Sequence, residues 1–419
     1  MAHAPDMTSP RHPFHPQTSS ISEGFDPSLS VMAVRPPIYS VSTYAFQSAE
    51  QAAHLFDVAL GRAAAAPGES VGLIYARLNN PNAEMFEDAL CAVEKGAQAA
   101  AAFSSGMSAI TTTLLTVVRP GTKILYQRPV YGGTDHFLRH IMPDWKVEGI
   151  AVREAQWPAA LAQHAADVAA IYLETPANPT LKMIDLAEIS RLAKAAIPGR
   201  KVPIIVDNTF LGPVFQSPLT RGADLAVYSA TKYLGGHSDL VAGALTGGDR
   251  ELVDRVKAMR AFLGTICEPF TAWMLQRSMA TLHLRMIKQS KNAARLAELL
   301  KAHPLVERVH YPTLLTGDQA RIFQAQCTAP GSMIAVELNG GRREAFRFLN
   351  ALKLVRLAVS LGGVESLACH PRSTTASEMS EEDLIESGVT EGLVRLSIGV
   401  EYWKDLAEDL TNALEAIRG

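Results

Sequence analysis

The chain has 419 residues, a formal net charge of −3 and a hydrophobic content of 47%. This length is more than one simple core usually supports, so we expect two domains. The charge balance leaves no broad basic field, which argues against nucleic acid as the main partner. The four cysteines are far apart and lack CxxC spacing, so we expect no disulfide framework and no metal site, and a cytoplasmic location fits best.

The first 28 residues are polar and contain no apolar segment of the kind found in secretory signals. We expect this lead-in to lack regular structure. Farther on, the apolar stretch at 109–118 is well short of the roughly 20 residues that span a bilayer. The sequence therefore predicts neither a secretory signal nor a membrane partner.

From about residue 98, short apolar runs alternate with helical or polar stretches. These runs are AQAAAAF, TKILY, VAAIYLE, VPIIVD and DLAVYS. Such runs, several of them followed by helices, are typical of the α/β class, with a mostly parallel sheet covered on both faces. Ligands of open α/β sheets bind at the carboxyl ends of the strands, where polar residues cluster in this chain.

After about residue 283 the pattern changes. A long amphipathic helix at 285–303 is followed by strand-like segments that alternate with helical ones, and a helix at 403–417 closes the chain. We expect a smaller α+β domain here. The predicted organisation is an N-terminal arm (1–79), a large sheet domain (80–283) and a C-terminal domain (284–419).

Four polar clusters follow the predicted strands: SSGM at 104–107, VYGGT at 130–134, VDNTF at 206–210 and SATKYLGG at 229–236. Each cluster alone has an ordinary explanation, such as a helix cap or a packed aromatic side chain. Together they match the needs of pyridoxal 5'-phosphate. Its phosphate takes helix N–H groups and hydroxyls, its aldehyde a lysine, its ring nitrogen a carboxylate and its ring face an aromatic residue.

On this interpretation Lys232 forms the Schiff base, with Ser229 and Thr231 binding the phosphate. Asp207 pairs with the ring nitrogen, and Tyr131 stacks on the ring. A carboxylate about 4 Å from the ring N–H⁺ favours the protonated pyridinium by about 4 kcal/mol at an effective dielectric constant near 20. Protonation of the ring keeps it an effective electron sink.

The motif set resembles the Cys/Met-metabolism pyridoxal phosphate enzymes, the group of cystathionine γ-synthase, cystathionine γ-lyase and methionine γ-lyase. The resemblance runs in order from about residue 34 and is carried by YARLNNP, SSGM, YGGT, ETPANP, VDNTF, SATKYLGGHSDLVAG and GLVRLSIGVE. It implies the type I, aspartate-aminotransferase-like fold and a homotetramer built from two catalytic dimers.

The resemblance also implies further site residues. Gly106 and Met107 would donate backbone N–H groups to the phosphate, and Tyr75 and Arg77 would reach the phosphate of the neighbouring subunit. Arg395 would clamp the α-carboxylate of the substrate, because its planar fork suits bidentate binding. The other residues expected near the substrate are Asn178 and Ser360.

The chain departs from its relatives at informative positions. Val359 precedes Ser360, as in methionine γ-lyases, where cystathionine-handling members have Glu. Asp135 would repel a distal carboxylate or attract a cationic group such as that of canavanine, unless it is a helix cap that faces solvent. Gly133 stands where methionine γ-lyases have Cys, and Ala376 where the family has His.

The resulting hypothesis is a γ-lyase that forms 2-oxobutanoate and ammonia, or homoserine if water adds. Lys232 would move the α-proton, and Tyr131 would protonate the leaving group. The alternatives are C–O cleavage of canavanine, the cystathionine γ-synthase or γ-lyase reactions, and a non-catalytic regulator that binds the cofactor.

Overall fold

The computed structural model of the protein describes residues 14–65, 73–377 and 379–417. The helices of this part are α1 (Pro16–Ser22), α2 (Ala49–Ala59), α3 (Pro81–Val93), α4 (Gly106–Val117), α5 (Gly132–His136), α6 (Trp157–Gln163), α7 (Leu186–Ala196), α8 (Gly212–Phe215), α9 (Arg250–Leu263), α10 (Pro269–Met279), α11 (Leu282–Lys301), α12 (Gly317–Gln326), α13 (Arg342–Ala351), α14 (Glu381–Glu386) and α15 (Trp403–Glu415). The strands are β1 (Ala99–Phe103), β2 (Lys123–Gln127), β3 (Glu148–Val152), β4 (Val168–Glu174), β5 (Ile204–Asp207), β6 (Leu225–Tyr228), β7 (Gly243–Gly247), β8 (Val306–His310), β9 (Met333–Leu338), β10 (Arg356–Leu357), β11 (Leu367–Cys369) and β12 (Leu393–Ser397).

The N-terminal lead-in contains a helix in the part that the structure describes. Its residues 1–13 lie outside the described residues, but α1 forms at 16–22, which corrects the expectation that the whole lead-in lacks regular structure. Two local features favour this helix. Pro16 stands in the first turn, where its fixed φ suits a helix, and the Nδ1 atom of His15 accepts the N–H of Gln17 at 3.2 Å.

The first sheet has seven strands in the order β1-β7-β6-β5-β4-β2-β3. Strands β2 to β6 are parallel, and β7 runs antiparallel to both β1 and β6. The mostly parallel sheet predicted from the sequence is therefore confirmed. Its register places Glu174 opposite Asp207 and Asp207 opposite Val227, so the carboxyl ends of β4, β5 and β6 lie side by side.

The sequence did not predict β3 or β7. Strand β7 contains two glycines and no continuous apolar run, yet its burial is complete. Gly243 explains this, because a Cβ atom there would overlap the backbone carbonyl of Ser105. The absence of a side chain lets β7 lie directly against the start of α4.

Capping residues place the helices around this sheet. Asn80, Asp185 and Asp249 precede α3, α7 and α9, and each accepts a backbone N–H from the first turn. Ser105 does the same for α4, which begins immediately after β1. The amino terminus of α4 therefore lies at the edge of the sheet where the carboxylates of β4 and β5 end.

The second sheet has five strands in the order β10-β11-β12-β9-β8. Buried side chains of α11, α13 and α15 pack on it, Leu296, Phe348 and Leu410 among them. This is the smaller α+β unit predicted from the sequence, and the expected boundary at 283/284 falls in the first turn of α11. No helix within the described ranges has both the length and the apolar character needed to cross a bilayer.

Candidate active site

Lys232 lies in the turn that follows β6. Its Nζ atom donates to Ser360 Oγ at 3.1 Å, and its backbone is held by bonds to Ser229 O at 3.0 Å and from Gly236 N at 2.7 Å. Burial, aided by the positive charge of Arg395, lowers the pKa of the Lys232 amine. A lowered pKa increases the fraction of neutral amine, which is the form that attacks an aldehyde or takes a proton.

Two glycines allow other groups to pack closely against the turn that contains Lys232. Gly236 has φ +71°, and a side chain there would overlap the guanidinium of Arg285, which donates to the carbonyl of Tyr233 at 2.7 Å. Gly362 has φ +81°, and a Cβ atom on it would lie 2.9 Å from the backbone nitrogen of Tyr233. Burial lowers the pKa of Arg285 to about 10. The glycines therefore allow close packing around Lys232.

The amino terminus of α4 forms an anion-binding cradle beside β6. Ser105 and Ser108 cap each other reciprocally, with N···O distances of 3.0 and 2.9 Å. The amides of Gly106 and Met107 have no acceptor among the described residues. A Cβ atom on Gly106 would lie 2.9 Å from Ser229 Cβ and 3.0 Å from its Oγ, so the serine hydroxyl adjoins the free amides. Backbone amides and a hydroxyl in this arrangement fit a phosphate.

The hydroxyls that flank Lys232 have different surroundings. The backbone N–H of Ser229 donates to Thr209 Oγ1 at 2.9 Å. Thr231 Oγ1 donates to Ala242 O at 3.1 Å and accepts from Ala242 N at 3.0 Å. The predicted phosphate contacts of Ser229 and Thr231 stay predictions, and Thr231 also ties the Lys232 turn to the segment that leads into β7.

Asp207 ends β5 with its carboxylate buried. Its Oδ1 atom accepts from Thr209 N at 3.0 Å and Thr209 Oγ1 at 2.6 Å, and Oδ2 accepts from the Tyr172 hydroxyl at 3.4 Å. Burial raises the pKa of Asp207, although the bonds from Thr209 oppose that shift. No basic side chain of the described chain forms an ion pair with it. A buried acid without a cation suits a protonated ring nitrogen.

Arg395 lies on β12 and is only 3% exposed. Its Nη1 atom donates to Asn178 Oδ1 at 2.9 Å, and Nη2 donates to the carbonyl of Val359 at 2.6 Å, next to Ser360. Among the described residues it has no carboxylate partner. A buried guanidinium held by neutral groups is costly unless an anion joins it, so a substrate carboxylate fits here.

Tyr131 stands at the start of α5 and is 44% exposed. A Cβ atom on Gly133 would lie 2.7 Å from Tyr131 Cε1 and 3.2 Å from Met107 Sδ. The ring of Tyr131 therefore occupies space that a side chain at residue 133 would need, close to the start of α4. Such a position is compatible with stacking on a ring whose phosphate rests on α4.

Tyr75 and Arg77 are exposed, and the contacts of Arg77 lie away from Lys232. Arg77 Nη1 donates to Ala261 O at 2.7 Å, and its guanidinium carbon lies 5.7 Å from the centre of the Tyr75 ring. Within one chain the structure does not bring these two residues to Lys232. Their expected role in a neighbouring subunit stays a prediction.

The surroundings of Asp135 agree with neither role that the sequence suggested for it, recognition of a substrate's distal group or capping of a helix in solvent. Its Oδ1 atom accepts from the Tyr126 hydroxyl at 2.9 Å, and Oδ2 lies 3.5 Å from both Arg128 and Arg139. Its side chain is 15% exposed, within α5, so it is not a solvent-facing cap. Because two arginines compensate its charge, the carboxylate is not the free anion that recognition of a cationic substrate requires.

The other departures have local explanations. Val359 is 57% exposed and presents an apolar side chain beside Ser360. Ala376 is buried in a small apolar cluster with Leu384 and Leu393. A histidine at this position would have to place a polar ring in that cluster.

Four residues of the site were not identified from the sequence. Thr209 orients Asp207, Arg285 and Gly362 pack the Lys232 turn, and Glu174 accepts the backbone N–H groups of two segments described below. The sequence did indicate the contact of Asp207 with Thr209, because an aspartate side chain often accepts the backbone N–H two residues later. The contacts of Arg285 and Gly362 join distant parts of the chain, and no local sequence pattern indicated them.

These residues fit pyridoxal phosphate. The cradle at Gly106 suits the phosphate, the buried Asp207 suits the ring nitrogen, and the neutral fraction of Lys232 suits the aldehyde. No cluster of three or more His, Cys, Asp or Glu suited to a metal occurs in the part of the chain that the structure describes.

Comparison with known proteins agrees with this geometry. The family model described as Cys/Met metabolism PLP-dependent enzyme matches residues 17–415. The L-methionine γ-lyase of Pseudomonas putida is 40% identical over 401 residues, which cover 95% of this chain and 97% of that protein. The cystathionine γ-synthase of Mycobacterium bovis is 37% identical over 399 residues, covering 95% and 96%.

Solved structures show the same relationship. The cystathionine γ-synthase of Xanthomonas oryzae, in complex with aminoacrylate and cysteine, superposes with a TM-score of 0.88 at 33% identity and covers 97% of this chain and 99% of that one. The cystathionine γ-lyase of Micromonospora echinospora has a TM-score of 0.85 at 36% identity, with 96% and 99% covered. The resemblance inferred from the motifs is thus confirmed along nearly the whole chain, and the protein belongs to the Cys/Met-metabolism PLP-dependent enzymes.

Proposed function

We propose that this enzyme is a γ-lyase that eliminates the γ-substituent of an L-amino acid, with methionine as the substrate. The observation that carries the proposal is the contact of Lys232 Nζ with Ser360 Oγ at 3.1 Å. Ser360 adjoins the Val359 carbonyl that accepts from Arg395, so the loop at 359–360 contacts both the amine that moves the proton and the clamp for the carboxylate.

The cofactor, when bound, supplies the electron sink that stabilises negative charge next to the substrate amino group. The protein residues supply the rest. Arg395 and Asn178 hold the α-carboxylate, and Lys232 Nζ removes the α-proton. The Tyr131 hydroxyl donates a proton to the departing γ-sulfur. The balanced reaction converts methionine and water into methanethiol, ammonia and 2-oxobutanoate, with the bond from the γ-carbon to sulfur broken.

The surroundings of the site favour an uncharged γ-substituent. Val359 presents an apolar side chain beside Ser360, which suits a methyl thioether better than a charged group. Asp135 is compensated by Arg128, so its charge no longer favours the guanidinooxy group of canavanine. Cystathionine stays the competing substrate, because relatives that act in its synthesis and cleavage are nearly as similar as the methionine γ-lyases.

The proposal includes a homo-oligomer in the cytoplasm, at least a dimer and in full form a tetramer. Its support is the exposure of Tyr75 and Arg77 on the protomer surface, since the family resemblance assigns these side chains to the phosphate site of a neighbour. The proposed cofactor-binding unit is residues 80–283.

The test is to supply the purified holoenzyme with methionine, cystathionine and canavanine in turn, and to measure 2-oxobutanoate and homoserine. We expect 2-oxobutanoate and thiol from methionine, and no turnover by a Lys232→Ala variant. Faster turnover of cystathionine would contradict the substrate assignment. Consumption of an acylated homoserine that requires added thiol, with little 2-oxobutanoate from methionine, would indicate a γ-synthase instead.

A further inference from the structure

Glu174 is a buried carboxylate at the carboxyl end of β4 that the mechanism above does not use. Its Oε2 atom accepts the backbone N–H of Tyr131 at 2.7 Å, and Oε1 accepts the backbone N–H of Asn178 at 2.9 Å. Its own N–H is bound by Gln127 Oε1 at 3.2 Å. One side chain therefore joins the starts of two loops that leave neighbouring strands.

The two loops carry residues with different tasks. Tyr131 presents the aromatic ring and hydroxyl at the start of α5, and Asn178 contacts Arg395 through Oδ1 at 2.9 Å. Along the chain, Tyr131 and Asn178 are 47 positions apart. In the described residues no backbone–backbone hydrogen bond joins their two loops, so the side chain of Glu174 provides the link between them.

We propose that Glu174 is a positioning residue that sets the main-chain places of Tyr131 and Asn178 together, and so couples the proton donor to the carboxylate clamp. This inference rests on the proposed function. Glu174 acts through these two residues and needs no contact with substrate. Its position is itself fixed, because the register of β4 and β5 places it opposite Asp207.

A carboxylate is needed for this task, and an amide cannot replace it. Both partners are N–H donors, so both oxygens of Glu174 must accept. A glutamine offers one oxygen and one NH₂ group, which would point a donor at one of the two backbone N–H groups. That N–H would be left buried without an acceptor, and its loop would shift.

The charge of Glu174 also matters for its neighbour. Burial and the adjacent Asp207 raise the pKa of Glu174, since two negative charges at neighbouring strand ends oppose each other. A cation next to Asp207 offsets this repulsion. We therefore expect Glu174 to bind its two N–H groups most firmly when the ring nitrogen site is filled by a cation.

The experiment compares Glu174→Gln with wild type, using Asp409→Asn as the matched control. Asp409 is a buried carboxylate that accepts the backbone N–H groups of Lys353, Leu354 and Val355 in the C-terminal domain. The readouts are kcat and KM for whichever amino acid the wild type converts, binding of L-norleucine, circular dichroism of the bound cofactor, and Tm.

We expect Glu174→Gln to lower kcat/KM about 10- to 100-fold, corresponding to the loss of one hydrogen bond to a charged group. Norleucine should bind more weakly and the cofactor dichroism should change, while Asp409→Asn alters Tm alone. Equal norleucine binding, dichroism and kcat in Glu174→Gln and wild type would overturn the proposal, even if Tm falls.

A second variant covers the case in which Glu174→Gln fails to fold. Glu174→Asp keeps the charge but withdraws the carboxylate by one methylene, so it should weaken both contacts without placing a donor against a donor. We expect a smaller loss of kcat and of norleucine affinity, and wild-type values for both would contradict the proposal. Failure of wild type to convert methionine would reject the proposed substrate alone, because the cofactor dichroism, and kcat and KM for the amino acid that wild type does convert, still report on Glu174.

Discussion

Arg128 donates both of its terminal nitrogens to the carboxylate of Asp383, with Nη2 at 2.5 Å from Oδ2. Arg128 follows β2 and Asp383 lies on α14, so the pair joins the two sheet domains. Arg139 approaches the same carboxylate at 3.3 Å. Because Tyr131 follows three positions after Arg128, this ion pair holds the start of α5 against the C-terminal domain.

We predict that Asp383→Asn destabilises the protein by about 1–3 kcal/mol, because the largely buried guanidinium of Arg128 loses its nearer carboxylate and keeps only the contact with Asp135 at 3.5 Å. The measurement is urea unfolding at neutral pH. The matched control on the same helix is Glu386→Gln. Glu386 pairs with Arg153 and is more exposed than Asp383, so its replacement should cost at most about 1 kcal/mol. Equal losses in the two variants would contradict the prediction, because the pair of Arg128 with Asp383 would then stabilise the fold no more than the more exposed pair of Arg153 with Glu386.

The effect of Asp383 should depend on pH in a defined direction. Burial opposes its ionisation, but hydrogen bonds from Ser380 and Arg128 hold the pKa of Asp383 below its usual 3.8. An acid with a depressed pKa stabilises the fold above that value and loses its contribution as the pH falls through the lowered one. The difference between wild type and Asp383→Asn should therefore persist at pH 5 and disappear only below 3.8.

Removal of the cofactor should reveal the altered amine of Lys232. Burial and the charge of Arg395 lower its pKa, so more of this amine is neutral near pH 8 than for an ordinary exposed lysine. We expect Lys232 of the cofactor-free protein to be acylated ahead of the average surface lysine by a small reagent, as measured by mass spectrometry.

The control for this labelling is Arg395→Met, which removes the neighbouring cation. Without it the pKa of Lys232 should rise, and its labelling near pH 8 should slow by a few-fold, while surface lysines are unchanged. Labelling of Lys232 at the same rate in both proteins would show that Arg395 does not act on it.

Residues within one local motif could be predicted from the sequence. Lys232 and Ser229 lie in one segment, and Asp207 ends an unbroken apolar strand, so the residue types and spacing alone indicate a cofactor that needs all of them. The parallel core strands were equally clear, because β4, β5 and β6 are continuous apolar runs. Strand β7 was not, since its burial comes from glycine packing and not from an apolar pattern.

Residues that act through distant partners could not be predicted in this way. In the sequence Asp135 has the character of a free charge, and only the folded structure shows that Arg128 lies next to it. The partner of Arg128 in the C-terminal domain, Asp383, is 255 positions away along the chain. Glu174 is prominent in the ETPANP motif, but its role depends on the backbone of Tyr131, 43 positions earlier. A single sequence carries no signal for such pairs.

A side chain at Gly106, in the anion-binding cradle at the start of α4, should weaken the binding of the cofactor. In Gly106→Ala the new Cβ atom would lie 2.9 Å from Ser229 Cβ, so α4 and the Lys232 segment must separate. We expect the dissociation constant for pyridoxal phosphate to rise about tenfold or more, equivalent to about 1.4 kcal/mol. Equilibrium dialysis of the cofactor against the apoenzyme measures this.

Gly199→Ala is the control for Gly106→Ala. Gly199 has φ +77° and open space around it, so alanine there strains the backbone and lowers stability by about 1 kcal/mol without touching the site. We expect its cofactor affinity to equal that of wild type. If Gly106→Ala changes stability alone, as Gly199→Ala should, the phosphate does not rest on this cradle.

Glu94 lies behind the site and should make stability fall with rising pH. It is fully buried and bonded by the Tyr228 hydroxyl, one position before Ser229, and burial raises its pKa to about 8 despite that bond. An unfolded chain loses this proton near 4.5, whereas the folded protein keeps it until about pH 8. The folded state therefore binds the extra proton between these values, and each added pH unit costs up to about 1.4 kcal/mol of stability.

Glu94→Gln lacks this proton, so wild type measured against it by urea unfolding at pH 5, 6.5 and 8 should become steadily less stable. A constant difference across the three pH values would mean that Glu94 ionises in the folded protein as freely as in the unfolded chain.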